Sequence, residues 1–291
     1  MVSSEAEKMR KIRVMAVQFA PGTDKTANFD KVKDTLRAAF DTLPGDALPD
    51  FVIIPEMFCC PYDSALFEEY GEREGGELYR ALSHLAKDHG IYLVAGSVPE
   101  IDDKGHVYNT GYVFDRKGIM IAKHRKVHLF DVDFGPGKRF FESDTLTPGD
   151  RYTVFDTEFG KMGLCICYDL RFPELFRLMA LEGAKVTFVP ASFSTKTGRP
   201  HFSLTCRARA VDNQMFIVSC SSAYSEEAGY KAYGHTLAVD PWGEVLGELD
   251  EKEGVLMVEL DLSRVDEIKG SLPLMKHRRE DLYEVRWNRR K

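Results

Sequence analysis

Short apolar runs alternate with amphipathic stretches along nearly the whole chain, and no Gly/Ser linker or low-complexity tract interrupts them. That alternation restricts the chain to folds in which helices cover sheets. The first run, Ile12–Ala20, reads as a strand. A helix follows, with Phe29, Val32, Leu36 and Phe40 at helical spacing. It stops at the Leu-Pro-Gly-Asp that begins at Leu43. Asp50–Glu56 is a continuous apolar run closed by an acid, the pattern of a strand buried on both faces. A second helix runs to a stop signal at Gly90, and three strand-like segments then end in Lys-His-Arg-Lys at Lys123–Lys126.

After a loop rich in Asp, Gly and Pro (Asp131–Asp150), the alternation resumes. It predicts strands over Tyr152–Gly160 and Lys161–Cys167, a helix from Pro173, a strand over Ala184–Ser192, a helix over Arg199–Gln214 and three further strands. The reading is one α/β domain over residues 10–262 with a charged extension, 263–291. The plain account of that extension is a solvated tail or helix, though it is long enough to pack on a neighbouring subunit.

With 291 residues, 44% hydrophobic and 29% charged, the chain can bury a sizeable core. A net charge of -7 argues against nucleic-acid binding, which needs a basic face. No stretch reaches 18 apolar residues and the N-terminal segment has no apolar signal core, so neither a membrane span nor export is expected. A cytoplasmic setting with reduced thiols follows, with an organelle left open. Cys59-Cys60 and Cys165-x-Cys167 lack zinc spacing, and the histidines show no paired i, i+4 arrangement with a carboxylate, so no metal site is expected.

Three apolar runs finish on residues able to do chemistry. Cys167 ends one just before a helix that opens with Pro173 and Glu174, a position where helix N–H groups lower a thiol's pKa. Glu56 ends another, and a carboxylate there is costly unless it is paired. Lys126 ends the third. Each has a plain alternative: core thiols for Cys165 and Cys167, a loop acid for Glu56, and a solvated basic cluster for Lys126 with its neighbours. Together they supply a nucleophile, a general base and a fixed cation, the parts needed for acyl transfer from an amide or nitrile.

The blocks "IIPEMF", "KHRKVHLF" and "GLCICYDLRFPEL", in that order, resemble the carbon-nitrogen hydrolase (nitrilase) superfamily, and the resemblance runs from Ile12 to about Tyr283. "KVHLFDVD", "FESDTLTPGD" and "RARAVDNQMF" are most similar to its omega-amidase branch. The resemblance implies a four-layer αββα sandwich that forms a homodimer or higher homo-oligomer, and a Glu56–Lys126–Cys167 triad without cofactor. It also implies a supporting role for Glu142. The substrate implied is a small ω-amide dicarboxylate, with deaminated glutathione, another carboxyamide, or a catalytically silent scaffold as alternatives and nitrile hydrolysis of low weight. Tyr168 is expected to bind substrate, its backbone N–H serving the oxyanion. Arg171 is the candidate for a distal carboxylate, with a structural ion pair to Asp169 or Glu174 as the alternative, and Thr195 and Lys196 are weaker candidates. The chain departs from the branch in "DVDFGPGKRFF", one residue longer than usual, and in "SFSTKTGRPHF", with Ser194 and Lys196 at unexpected positions.

Overall fold

The computed structural model describes residues 11–44, 47–133, 135 and 139–288. Strands β1 (Lys11–Gln18), β2 (Phe51–Ile53), β3 (Tyr92–Val94), β4 (Val98–Ile101), β5 (Val107–Phe114), β6 (Met120–Arg125) and β15 (Gly254–Asp261) form one sheet. Its order is β15-β1-β2-β3-β5-β4, with β6 also paired to β5. The second sheet orders β14 (Val245–Glu248), β13 (Leu237–Val239), β12 (Phe216–Ser221), β11 (Val186–Ala191), β10 (Gly160–Leu164) and β9 (Thr153–Thr157). A small hairpin, β7 (Asp131–Asp133) with β8 (Arg139–Phe141), lies within the stretch read as loop.

The apolar runs explain the layering. Along β1 and β2, Val14, Ala16, Phe51 and Ile53 join a cluster with Leu164, Val186, Phe188 and Val218 of the other sheet. The alternate residues Met15, Val17, Val52 and Ile54 join Val32 and Leu36 of α1 (Lys25–Thr42) and Leu82 and Ala86 of α2 (Glu77–His89). On the second sheet, Val189, Ile217, Leu237 and Val239 pack with Leu175 and Phe176 of α3 (Pro173–Leu181) and with Phe202, Cys206 and Ala210 of α4 (Thr195–Asn213). Strands apolar on both faces therefore need a sheet on one side and helices on the other, and the result is helix, sheet, sheet, helix. The interface between sheets includes Phe51 stacked on Phe188, ring centroids 5.1 Å apart.

Local chemistry sets the element ends. Asp24 caps α1 by accepting from the Ala27 N–H at 2.9 Å. Gly90 ends α2 in the left-handed region (φ 63°). Helix α4 starts at Thr195, ahead of the expected Arg199, because Ser194 caps it through the Thr197 N–H and Pro200 is carried inside. The extension is not wholly a solvated tail. It opens with α5 (Ser263–Ser271), which buries Val265 and Ile268, and further on the Trp287 Nε1–H donates to the Asp150 carbonyl at 3.1 Å.

The sheets also fix where chemistry can gather. Strands β1, β2 and β3 run parallel, and β6 runs with them because it is antiparallel to β5, itself antiparallel to β3. The C-terminal ends of β2 and β6 thus share one edge of the first sheet. The Glu56 N–H donates to the Ala191 carbonyl at the C-terminal end of β11, at 3.4 Å, which joins that edge to the matching edge of the second sheet. β10 runs parallel to β11 and ends there too. Ligand sites in α/β folds form at such edges.

Candidate active site

Glu56 follows β2, Lys126 follows β6 and Cys167 follows β10; Glu142 begins a short 3-10 turn after β8. All four are buried, and Cys167 keeps 6% of its surface. The Lys126 Nζ lies 2.8 Å from Glu56 Oε1 and 2.8 Å from Glu142 Oε1, so one ammonium joins two carboxylates. Glu56 Oε1 also accepts from Asn109 Nδ2 at 2.8 Å and from the Tyr62 hydroxyl at 3.2 Å. Glu142 Oε1 accepts the same hydroxyl at 2.5 Å, and Glu142 Oε2 accepts the Phe130 N–H at 2.7 Å. Glu56 Oε2 has no hydrogen-bond partner among the described residues, and the Cys167 thiol lies close enough to influence this carboxylate.

The backbone is shaped to hold this cluster. Cys167 sits at φ 44°, a left-handed conformation that costs a non-glycine residue about 1–3 kcal/mol and that clusters at functional sites. Gly96 (φ 55°) lies so close to the strand end bearing Glu56 that an added Cβ would meet the Pro55 carbonyl oxygen at 2.1 Å. Gly149 plays the same part behind Lys126: a Cβ there would fall 2.0 Å from the Arg125 carbonyl oxygen, while its N–H donates to the Lys126 carbonyl at 2.8 Å.

Burial pushes the Glu56 carboxyl above its ordinary range, against the pull of Lys126 and with a further push from Glu142. Burial opposes the charge on Lys126, but Glu142 and Glu56 outweigh it and hold the ammonium well above the usual lysine range. Burial, then the facing Glu56 charge, raise the Cys167 thiol well above the usual value, offset in part by Lys126 and the Ser192 N–H. The expectation of a thiol lowered by a helix N-terminus is therefore reversed. Helix α3 begins only at Pro173, with a 3-10 turn (Cys167–Arg171) in between, and the group engaging the sulfur is an acid. The site sets a thiol beside a carboxylate, an arrangement in which a base can take the proton as a sulfur attacks.

The plain reading of Lys123–Lys126 as a solvated cluster also fails. Lys123 and Arg125 both pair with the buried Glu100, with Arg125 Nη2 at 2.8 Å, and His124 is wholly buried. A cleft of about 820 Å³ opens onto the site and is lined by Glu56, Tyr62, Phe140, Ser192 and Tyr230 among others. Lys31, 2.5 Å from Glu253, lines it as well.

Arg171 and Thr195 are not among the residues that line this cleft. The Arg171 guanidinium lies over the rings of Phe193 (5.0 Å) and Tyr168 (5.8 Å), and its Nη1 is 3.2 Å from His201 Nδ1. The alternative ion pair with Asp169 does not form, because that carboxylate is taken by His124 and His128. Thr195 is exposed at the first turn of α4. The Tyr168 ring packs edge-on against Phe130 and Phe172. The sequence reading missed Tyr62, Asn109 and Tyr230. Asn109 carried a signal, a polar residue inside the apolar run of β5, whereas Tyr62 and Tyr230 lie in irregular segments that no periodicity marks.

A buried acid, amine and thiol thus meet at adjoining edges of two sheets packed between helices, in a chain whose layers and site suit a carbon-nitrogen hydrolase. The carbon-nitrogen hydrolase family profile matches residues 13–270, and the chain belongs to that family. It is 43% identical to omega-amidase NIT2-A of Xenopus laevis over 278 residues, 95% of this chain and 98% of the relative. It superposes on the crystal structure of Saccharomyces cerevisiae Nit3, a member of branch 10 of the nitrilase superfamily, with a TM-score of 0.85 at 39% identity, covering 93% of this chain and 97% of the other. A mutant of the amidase from Nesterenkonia sp. AN1, which carries the acetamide moiety of fluoroacetamide covalently on its active-site cysteine, superposes with a TM-score of 0.75 at 25% identity, covering 97% and 98%. The chain is accordingly an amidase of the nitrilase superfamily. Among the described residues no helix is long and apolar enough to cross a membrane.

Proposed function

We propose that this amidase hydrolyses the terminal amide of a small ω-amide dicarboxylate, of the 2-oxoglutaramate or 2-oxosuccinamate type, through a thioester on Cys167. The observation that carries the reading is the crowding of Lys126, Asn109 and Tyr62 onto Glu56 Oε1, which leaves Oε2 without a hydrogen-bond partner in the buried cluster that holds Cys167. The sulfur attacks the amide carbon as its proton passes to Glu56. The Lys126 ammonium and the Tyr168 N–H hold the oxyanion, and Glu142 keeps Lys126 in place. When the tetrahedral adduct collapses, the C–N bond breaks and Glu56 returns the proton to the departing ammonia. Glu56 then takes a proton from a water that attacks the thioester; the C–S bond breaks, the carboxylic acid leaves, and Glu56 returns the proton to the sulfur.

The substrate's distal carboxylate calls for a cation. Arg171, in the turn that holds the thiol, is the candidate, with Thr195 and Lys196 beyond it and Lys31 offered by the cleft itself. The omega-amidase name of the Xenopus relative supports this substrate class. A cytosolic homodimer goes with the reading, and the six free thiols suit a reducing compartment.

The test is ammonia release from 2-oxoglutaramate and succinamate beside deaminated glutathione. Turnover of the first two at a kcat/KM at least tenfold above the third is expected. Preference for deaminated glutathione would move the assignment to the alternative amidase, and no ammonia from any of them would leave a silent scaffold. Arg171→Lys should raise KM for the charged amides; an unchanged KM removes the clamp.

The pH dependence has a definite sign. Glu56 must be ionised to accept the proton, and its carboxyl is raised in the folded protein, so kcat/KM should fall on acidification at a pH above 4.5. The thiol need not ionise beforehand and is itself raised, so no alkaline gain should appear near the usual thiol value of 9.0. A rate that climbs through that region with the thiolate fraction would contradict the paired-proton mechanism.

A further inference from the structure

We propose that Asp169 is a positioning residue that sets the Cys167 thiol against the Lys126 ammonium, gripping through one carboxylate the two segments that carry them. The inference rests on the amidase reading above and assigns a role to a group that touches no reacting atom.

Asp169 has no exposed surface and its carboxylate accepts four hydrogen bonds from two parts of the chain. Oδ2 takes the Ile166 N–H at 3.1 Å, and the Asp169 N–H returns a bond to the Ile166 carbonyl at 2.9 Å. These two bonds close the turn around Cys167, whose left-handed backbone needs such a restraint. The other contacts reach the segment that carries Lys126. His124, on β6, meets Oδ2 through Nε2 at 3.0 Å, and His128 meets Oδ1 through its backbone N–H at 2.9 Å and through Nδ1 at 2.7 Å. Lys126 lies midway between the two histidines, so the ties bracket it.

The chemistry of the donors agrees. Burial alone would raise the Asp169 carboxyl, but the hydrogen bonds from His124 and His128 outweigh it and hold the group well below the usual carboxylate range. An ionised carboxylate only accepts, so both imidazoles must present N–H to it. Their outward sides are fixed as well: His124 Nδ1 meets the Thr153 hydroxyl at 3.0 Å, and the His128 ring stacks on Phe172 with centroids 3.6 Å apart. Thiol and amine belong to different sheets, and Asp169 spans the gap between the segments that bear them.

Steady-state kinetics on the full chain test this, with the wild type beside Asp169→Asn, His124→Leu, His124→Gln, His128→Leu and His128→Asn. An asparagine at 169 turns an N–H toward donors. A displacement of about 1 Å at a reacting group can cost about a hundredfold, so Asp169→Asn should lower kcat by about that factor with KM within threefold. Each leucine variant should lower kcat at least tenfold. Gln at 124 restores a donor near the Nε2 position and Asn at 128 one near the Nδ1 position, so these should recover most of the loss. His128 is partly exposed, with 28% of its side-chain surface open, so the His128 pair decides the matter if Asp169→Asn does not fold.

A second readout needs no turnover: the rate at which iodoacetamide alkylates Cys167, followed by mass spectrometry, should fall in Asp169→Asn and the leucine variants. Unchanged kcat and unchanged alkylation in these variants would overturn the proposal, as would equal losses in the leucine variants and their conservative counterparts. If the wild type releases no ammonia, the amidase reading is what fails, and the alkylation series alone judges Asp169: slower labelling supports the tie and equal labelling removes it.

Discussion

Replacing Cys167 with alanine should abolish ammonia release while leaving the fold in place. The expected loss in kcat is on the order of 10⁴–10⁶, the scale seen when a nucleophile is removed from a preorganised acyl-transfer site. The physical case rests on what remains. Lys126 still joins Glu56 and Glu142, the cleft keeps its lining, and the amide can still bind, but no atom is left to attack its carbon. Stability should change little, because alanine carries a Cβ as cysteine does and meets the same cost at φ 44°. The loss of the thiol breaks no hydrogen bond to Glu56 Oε2, which has no partner. The measurements are ammonia release and thermal unfolding on the same preparation. Hydrolysis retained within tenfold of wild type would mean another group does the chemistry. Lost hydrolysis with a collapsed melting profile would mean Cys167 is chiefly a packing residue, which its place in the second sheet's outer core leaves as the competing account.

Much of this site was legible before any coordinates because its parts announce themselves by contradiction. Glu56 and Lys126 are charged residues at the ends of apolar runs, and burial of such groups is tolerable only in pairs. The layers were legible for a related reason. In β2 and the residue after it, Phe51 and Ile53 face the second sheet while Val52 and Ile54 face the helices, so the run reads as one unbroken apolar word, and only a sandwich covered on both sides satisfies it.

What stayed hidden depends on contacts across long sequence gaps. A nearby helix start makes the thiol look acidic in the sequence, but burial and then the facing charge of Glu56, on the other sheet, raise it. Periodicity says nothing about which way an irregular segment folds back, so Tyr62, whose hydroxyl meets both glutamates, escaped notice. Arg171 was given two partners by proximity in sequence, and the fold instead set it over two aromatic rings beside His201. The hairpin within 131–141 escaped too, since its strands are three residues each and its turn chemistry resembles any Asp/Gly/Pro loop.

The second large effect is expected for Lys126→Met, and it should appear in stability as strongly as in rate. The ammonium sits 2.8 Å from each of two carboxylates, with all three side chains out of solvent. Methionine matches the stem but removes the ammonium from between them, so Glu56 and Glu142 would confront each other with the Tyr62 hydroxyl as their shared donor and Asn109 on Glu56 alone. Breaking a buried ion pair by deleting one partner costs about 3–5 kcal/mol, which for a chain of this size lowers the melting temperature by roughly 6–20 °C. The pH dependence identifies the cause. In the variant, burial and mutual repulsion raise the carboxyl pKa values in the folded state above those of the unfolded chain. Groups raised in this way give stability that is present at low pH and lost as pH rises through the folded value. The gap in melting temperature between variant and wild type should therefore narrow from pH 8 to pH 5. Activity should stay at least 10²-fold down throughout, since no ammonium faces the developing oxyanion. Adding Glu142→Gln to Lys126→Met should restore much of the stability and none of the rate, because it removes one of the opposed charges without replacing the cation. A melting gap that is flat or widens toward acid, or a double variant no more stable than the single one, would show that Lys126 holds the site by packing and not by charge.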